Sequence, residues 1–159
     1  MKKLHLLLLA FLISVLIIGC SGDNTNPQTD IVGKFILNQD RIETVNVVKG
    51  QRNEIEVFLN NSEISALIKK VEEIPVQLLT KDQEDNFMPE RIVEETSLTV
   101  YLYEDSLESM KSLNGLFLIW PDGYLYIVDV SSMQGDERTQ SYLSESKYPE
   151  LYEWLNEKI

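Results

Sequence analysis

Polar and apolar residues alternate along much of the chain with the two-residue period of a β-strand. Every second residue between positions 97 and 103 is a large aliphatic one, and this pattern predicts a strand with one buried face. Shorter runs rich in β-branched and aromatic residues predict further strands. These runs span residues 32–37, 42–48, 54–59, 75–80, 116–120 and 124–130.

Two other segments have the 3.6-residue period of a helix. Asn60 and Glu63 have the spacing of a capping box, and the aliphatic residues that follow recur at helical positions, which predicts a helix over residues 60–74. Its buried stripe consists of Ile64, Leu67, Ile68 and Val71. Pro149 fits the first turn of a closing helix. The apolar residues of that helix are Leu151, Trp154, Leu155 and Ile159.

Turn residues separate these elements. Pro121, Asp122 and Gly123 stand between two apolar runs and predict a β-hairpin, since glycine readily takes the left-handed backbone conformation that such turns require. Residues 81–90 form the longest polar insertion and are predicted to be a loop. Residues 140–144 are predicted to form one turn of helix.

The resulting order of elements is β-β-β-α-β-β-β-β-α, with short hairpin connections. This order predicts an α+β fold in which a mostly antiparallel sheet of about six to seven strands carries two helices packed on one face. The first three strands are expected to form a meander. Residues 31–159 are predicted to be a single domain, since a chain of this length can bury a core of its own.

The first twenty residues have the pattern of an export signal. Lys2 and Lys3 give a positive start, and residues 6–18 form an apolar run of 13 residues. This length fits a signal peptide and falls short of the roughly 20 residues that a membrane-spanning helix needs. Residues 1–19 are therefore predicted to be a cleaved leader.

The leader ends in Ile-Ile-Gly-Cys at residues 17–20, and this sequence resembles the lipobox of bacterial lipoproteins. The resemblance implies that the Cys20 thiol receives a diacylglyceryl group and that its freed amine carries an N-acyl group. Two or more acyl chains anchor a protein lastingly in a bilayer. The predicted location is the extracytoplasmic face of the cell membrane, with residues 20–30 as lipidated Cys20 and a flexible polar tether. The alternative is an ordinary signal peptide, or an uncleaved anchor, in which Cys20 is a small buried apolar residue.

Removal of the leader changes the composition of what remains. The full chain has 14 basic and 26 acidic residues and a net charge of −12. Without its first 19 residues it has 140 residues, no histidine, and a charge of −14 because Lys2 and Lys3 are lost. Such a domain cannot form a Cys/His zinc site, a Ser-His-Asp triad or an internal disulfide. Its strong negative charge also argues against nucleic acid as a partner.

Carboxylate chemistry is the catalytic possibility left after these exclusions. Residues 82–86 offer oxygen ligands for Ca²⁺, but Phe87 and Val93 stand where an EF-hand loop needs Gly and Glu. Pairs of carboxylates can hydrolyse glycosides without histidine, yet no pair in this sequence stands out from the others. Ser144 and Lys147 have the spacing of a Ser-x-x-Lys nucleophile but lack its partner motifs. The sequence therefore predicts no catalytic residue, metal or cofactor.

Five aromatic residues are candidates for a binding face. They are Tyr101 and Tyr103 on one face of a strand, Tyr124 and Tyr126 on one face of another, and Trp120 beside the hairpin turn. Tyrosine supplies a large contact area at a low entropic cost, so these rings could bind a glycan or a peptide. The other interpretation, which we favour, is that they pack across strands and stabilise the sheet.

Four segments together, residues 17–20, the helix at 60–74, the hairpin at 116–130 and the closing helix at 149–155, resemble a known family. They are similar to small lipoproteins of Bacillus-type bacteria that contain a YhfM-like domain. The resemblance spans most of the chain after the leader, and it implies a lipid-anchored extracytoplasmic domain. The family supplies no established activity.

Two functions fit these features. The favoured one is a non-catalytic binding or accessory module that is anchored in the lipid bilayer and engages an envelope protein, a peptide or a glycan. The alternative is a small carboxylate-dependent hydrolase or Ca²⁺-dependent enzyme at the cell surface. An exposed aromatic surface would support the first, whereas the second needs a pocket with two converging acidic side chains.

Overall fold

The computed structural model describes residues 29–36, 39–50, 55–91, 95–106, 109–134 and 139–159. These residues form eight strands, which are β1 (Asp30–Ile31), β2 (Thr44–Lys49), β3 (Ile55–Phe58), β4 (Pro75–Leu78), β5 (Leu98–Tyr103), β6 (Leu113–Ile119), β7 (Leu125–Val128) and β8 (Ser141–Ser144). They also form three α-helices, which are α1 (Asn61–Val71), α2 (Lys81–Arg91) and α3 (Pro149–Asn156). Short 3₁₀ helices lie at Val32–Phe35, Gln39–Arg41 and Ser132–Gln134.

The eight strands form one sheet in the order β1-β4-β8-β7-β6-β5-β2-β3, and each neighbouring pair is antiparallel. An α+β fold with a mostly antiparallel sheet is therefore confirmed. The predicted number of six to seven strands is too low, and the described residues contain three α-helices rather than two. β1 and β3 are the edge strands, and β1 is only two residues long.

The larger apolar cluster lies on the first face of the sheet. Alternate residues of the central strands point into it, among them Leu98 and Val100 of β5. Helices α1 and α3 cover this face with Leu67 and Leu155, both of which are fully buried. These are the two helices that the sequence predicts.

The smaller apolar cluster lies on the second face of the sheet. Its buried members are Leu79, Trp120 and Tyr126, and partly buried residues of β6, β7 and β8 surround them. Helix α2 contributes Phe87 and Met88. This third helix therefore lies over the part of the second face that β6, β7 and β8 form.

Two local predictions are confirmed in atomic detail. The Asn60 side chain accepts hydrogen bonds from the backbone N–H groups of Ser62 and Glu63, and the Glu63 carboxylate accepts one from the Asn60 N–H. This reciprocal capping box begins α1. In the hairpin turn, Gly123 has a φ of +90°, and its N–H donates to the Trp120 carbonyl at 2.8 Å.

Residues 32–35 form a 3₁₀ helix rather than the predicted strand. Val32 and Phe35 are both buried in the larger cluster. Residues three apart share one side of a 3₁₀ turn, whereas they would point to opposite faces of a strand. The predicted three-stranded meander is therefore wrong in its first strand. Its second and third strands do pair as β2 and β3, and β2 pairs on its other side with β5.

The segment predicted to be a polar loop is helix α2. Thr80 and Gln83 form a capping box at its start: the Thr80 N–H donates to Gln83 Oε1 at 2.9 Å, and the Gln83 N–H donates to Thr80 Oγ1 at 3.3 Å. This spacing is visible in the sequence, but most of the helix is polar and Pro89 lies in its last turn. Packing of Phe87 and Met88 on the sheet stabilises α2, and the polar sequence of the segment does not reveal this contact.

Residues 141–144 form strand β8 rather than the predicted turn of helix. Tyr142 belongs to the larger cluster, and Leu143 packs against the smaller one. Consecutive side chains thus point to opposite faces, as in any strand. β8 pairs with β4 on one side and β7 on the other, so its conformation depends on strands that are distant in the sequence.

Candidate functional site

The second face of the sheet divides into two halves. The covered half lies beneath α2 and contains Trp120, Tyr124 and Tyr126. The open half is formed by β3, β2 and β5, and it contains Asn46, Glu56, Phe58, Tyr101 and Tyr103. Residues directly opposite each other in antiparallel strands place their side chains on the same face. Neither apolar cluster of the described residues includes the side chains of the open half.

Trp120 is the fully buried centre of the covered half. Its indole Nε1 donates to the Arg91 backbone carbonyl at 3.0 Å, which fastens the end of α2 to the hairpin. The Trp120 ring meets Phe87 edge to face at a centroid distance of 5.4 Å and Tyr126 at 6.3 Å. Both geometries are favourable for aromatic pairs. Trp120 therefore has a packing role.

The Arg91 guanidinium joins α2 to the hairpin turn. It makes two hydrogen bonds to the Asp122 carboxylate, at 2.9 and 2.8 Å, a forked geometry that strengthens an ion pair. The guanidinium also lies 4.8 Å from the ring centre of Phe87, 5.4 Å from that of Trp120 and 5.5 Å from that of Tyr124. Hydrogen bonding from Arg91 lowers the pKa of Asp122 to about 2.

The Tyr126 hydroxyl is held between two elements. It donates to the Glu84 carboxylate of α2 and shares a hydrogen bond of 2.7 Å with Ser141 Oγ of β8. Burial raises the pKa of Tyr126 above its ordinary value. Both the ring and the hydroxyl of this tyrosine are used inside the covered half.

Tyr101 and Tyr103 form a parallel pair on the open half. Their ring centroids lie 6.4 Å apart, with 18° between the ring planes, and both side chains are partly exposed. Tyr101 stands opposite Asn46 of β2, and Asn46 stands opposite Phe58 of β3. Burial and the neighbouring Tyr101 raise the pKa of Tyr103, so its hydroxyl is protonated at neutral pH.

Asn46 lies between Phe58 and Tyr101 in the open half and is buried, with 8% of its surface exposed. Its Nδ2 donates to Glu56 Oε2 at 3.3 Å, and Glu56 itself is exposed. The other end of the amide, Oδ1, is buried and has no hydrogen-bond partner within the described part of the chain. A buried acceptor of this kind is uncommon in native proteins.

The structure splits the five aromatic residues predicted as a binding face. Three of them pack beneath α2, while Tyr101 and Tyr103 are partly exposed on the open half. The open half also contains three residues that are not among the predicted site residues: Asn46, Glu56 and Phe58. Asn46 carries a recognisable signal because it interrupts the apolar run of β2, whereas its two neighbours on β3 are revealed only by the strand register.

The candidate carboxylates at residues 82–86 lie on a helix rather than in a loop. Glu84 and Asp85 both line a cleft of about 520 Å³, and Glu84 accepts a hydrogen bond from the Tyr126 hydroxyl there. Among the residues that the structure describes, no three His, Cys, Asp or Glu side chains are grouped so that they could hold a metal ion. The set of ligands that Ca²⁺ needs is therefore not assembled by this segment.

Ser144 and Lys147 do not form a nucleophile pair. The Ser144 hydroxyl donates to the Ser146 carbonyl at 2.7 Å and accepts from the Leu125 N–H at 3.0 Å. Lys147 Nζ lies instead 3.2 Å from Asp122 Oδ2. Both side chains therefore fix the loop between β8 and α3 against the hairpin.

Two further clefts lie away from the five predicted aromatic residues. One of about 570 Å³ separates α1 from the 3₁₀ turn at Gln39–Arg41 and has Asp40, Lys69 and Glu72 among its lining residues. The other, of about 440 Å³, lies between α2 and β8. The first carries charges of both signs, so its electrostatics select no single class of ligand.

No family model, curated protein or solved structure matches the chain. The similarity to lipoproteins with a YhfM-like domain therefore stays a prediction. The predicted leader, Cys20 and the tether as far as residue 28 lie outside the described residues. Within the described ranges, no helix is both long and apolar enough to span a membrane.

Proposed function

We propose that this protein is a lipid-anchored, non-catalytic binding module of the cell envelope, held to the membrane through acylated Cys20. Its partner, in this proposal, binds the open half of the sheet. The observation that carries the proposal is the parallel pair of partly exposed tyrosines, Tyr101 and Tyr103, on a face that α2 covers only in part. The lipobox-like sequence at residues 17–20 supports the anchor.

The open half has the properties of a surface that binds at low entropic cost. Tyr101 and Tyr103 belong to a central strand that is paired on both sides, so their backbone is ordered before a partner arrives. A tyrosine side chain has few rotatable bonds to immobilise, and its ring combines apolar area with a hydroxyl. Binding there loses little conformational entropy, which favours affinity for a given contact area.

The alternative of a carboxylate-dependent enzyme has less support from the geometry. Glu84 already accepts a hydrogen bond from Tyr126, and Asp85 lies next to it on the same helix rather than on a second element. In the described structure, neither carboxylate belongs to a group of three or more His, Cys, Asp or Glu side chains that could hold a metal ion. We therefore propose that the protein acts without a catalytic residue, a metal or a cofactor.

Metabolic labelling tests the anchor. Full-length protein should incorporate a labelled palmitate analogue and sediment with membranes, because acylation at Cys20 gives it two or more chains. The Cys20→Ala variant should incorporate no label. Label in the variant, or none in the natural protein, contradicts the proposed anchor.

Photo-crosslinking in native membranes tests the binding surface. A photoreactive residue at Thr99, which lies on the same strand face as Tyr101, should crosslink to a partner. The crosslink should disappear in a Tyr101→Ser, Tyr103→Ser double variant. The same photoreactive residue at Ser65, which is exposed on α1, is the matched control and should not give that product. A crosslink that survives the double substitution shows that the partner binds elsewhere.

A further inference from the structure

The buried oxygen of Asn46 sets a condition on what can bind the open half. An acceptor that loses water on burial and gains no donor is destabilising, so a ligand that brings a donor supplies what the free protein lacks. The orientation of the amide is fixed by its other end, because Nδ2 faces the Glu56 carboxylate and an oxygen there would face another oxygen. Oδ1 is therefore the atom with unused capacity.

The charge beside this oxygen is negative. Glu56 is exposed and uses one carboxylate oxygen toward Asn46, so its remaining lone pairs can accept further hydrogen bonds. The whole chain has a net charge of −12, and such a field attracts cationic partners. A ligand suited to this position is both a hydrogen-bond donor and a cation.

Aromatic rings border the same position. Phe58 and Tyr101 are directly opposite Asn46 on its two neighbouring strands, which places their Cβ atoms about 4.5–5.5 Å from that of Asn46. Tyr103 extends this surface by one more ring parallel to Tyr101. Ring faces attract cations, and a planar guanidinium can stack on a ring while its N–H groups reach acceptors at the edge.

We infer that the open half binds an arginine side chain in a cationic segment of a partner protein. In the bound state the side chains that enclose Asn46 Oδ1 move aside, the guanidinium lies against Tyr101, and its N–H groups donate to Oδ1 and to the Glu56 carboxylate. Arginine suits this arrangement better than lysine because its fork of donors serves two acceptors at once. The inference rests on the proposed function and specifies the chemistry of its ligand.

Peptide binding to the full-length protein in non-ionic detergent micelles tests this inference. The probe is an acetylated and amidated Gly-Arg-Gly peptide, and its twin carries citrulline, which has nearly the same shape without the charge. Calorimetric titration should show the arginine peptide binding at least about tenfold more tightly than the citrulline peptide. Added salt should narrow this difference, since the carboxylate is exposed.

Three variants separate recognition from folding. Glu56→Gln should lower the affinity for the arginine peptide about five- to tenfold. Glu153→Gln, the same change at an exposed residue of α3, should leave that affinity unchanged. Asn46→Leu should weaken binding by about tenfold, while the thermal unfolding midpoint stays the same or rises. A purely structural asparagine would lower that midpoint when replaced, whereas removal of a buried acceptor that lacks a partner does not.

The outcomes distinguish this inference from the proposed function on which it rests. Equal affinity for the arginine and citrulline peptides, or undiminished binding by Glu56→Gln, overturns the inference. Preferential binding of an N-acetylglucosamine oligomer that is lost in the Tyr101→Ser, Tyr103→Ser variant also overturns it, but leaves the open half as the binding surface. If no probe binds and Thr99 gives no crosslink in membranes, the proposed function fails as well.

Discussion

The covered and open halves of the second sheet face contain the same kinds of side chain in different surroundings. Both present aromatic residues at alternate positions of neighbouring strands. In the covered half, α2 lies across the rings, and Arg91 links them to Asp122. In the open half, the rings stand beside an exposed carboxylate and a buried amide oxygen without a described partner.

The role of an aromatic residue on a strand therefore depends on what packs above it rather than on its spacing. Trp120 and Tyr126 have their polar atoms bonded to α2 and β8 and their rings enclosed. Tyr101 and Tyr103 stack on each other and stay partly exposed. Substitutions in the covered half should therefore change stability, and those in the open half should change binding.

The largest effect is expected at the centre of the covered half. Trp120→Ala should lower the free energy of unfolding by about 3–5 kcal/mol, because a fully buried indole leaves a large cavity. Urea unfolding of the full-length protein, followed by circular dichroism, measures this loss. Trp154→Ala on α3 is the matched control and should cost less, since Trp154 is only partly buried. Equal losses would show that the covered half is loosely packed.

The free energy of unfolding should be nearly as sensitive to substitution in the hairpin turn that contains Asp122, the ion-pair partner of Arg91. Gly123 has a φ of +90°, and a Cβ there would lie 2.4 Å from Pro149 N and 2.5 Å from Tyr148 N. Gly123→Ala should therefore cost about 3 kcal/mol in unfolding free energy, through backbone strain and displacement of α3. Gly50→Ala, whose Cβ would meet only the Glu95 carbonyl at 3.0 Å, should cost less in the same assay.

Acid should weaken the attachment of α2. The pKa of Asp122 falls from 3.8 to about 2 on folding. The ionised carboxylate therefore contributes fully to the free energy of unfolding above about pH 4, and this contribution is lost as the pH falls toward 2. Asp122→Asn should cost about 1–2 kcal/mol at neutral pH, less than an isolated buried pair, because the site is partly solvated.

The same variant should also lose less stability on acidification than the natural protein does. Unfolding free energies measured between pH 5 and pH 2 test this expectation. Some acid dependence should persist in Asp122→Asn, since hydrogen bonds also lower the pKa values of Glu63 and Asp105. If the unfolding free energies of the two proteins changed with pH in parallel, folding would not stabilise the ionised form of Asp122.

The smallest effect on stability is expected in the open half. Tyr101→Ala should cost about 1 kcal/mol or less, because the ring is partly exposed and lies outside both apolar clusters. It should nevertheless abolish measurable binding of the arginine peptide. Tyr126→Ala should show the opposite behaviour. Its free energy of unfolding should fall by more than that of Tyr101→Ala, and the fraction of the protein that is folded should still bind the arginine peptide.

The elements that the sequence predicts correctly have causes within a few adjacent residues. The alternation of β5, the Asn60 capping box and the turn at Gly123 each contain their own physical signal. The failures have distant causes. Helix α2 depends on packing of Phe87 and Met88, and β8 depends on β4 and β7 as partners.

The candidate site could be predicted only in part for the same reason. Alternation alone places Tyr101 and Tyr103 on one strand face. The neighbours Asn46, Glu56 and Phe58 come beside them only through the β3-β2-β5 register. β2 and β5 are far apart in the chain, so their pairing is set by the whole sheet, and no single run of residues encodes it.

The order of the strands gives the sheet a mechanical role in the proposed anchored protein. β1 stands at one edge, where the tether enters and Thr29 Oγ1 donates to Glu145 at 2.7 Å. β2 lies six strand spacings away, which amounts to on the order of 30 Å. The sheet is then a stiff spacer between the lipid anchor and the arginine-binding surface. Its width would add to the length of the predicted tether in setting how far from the bilayer a partner can be engaged.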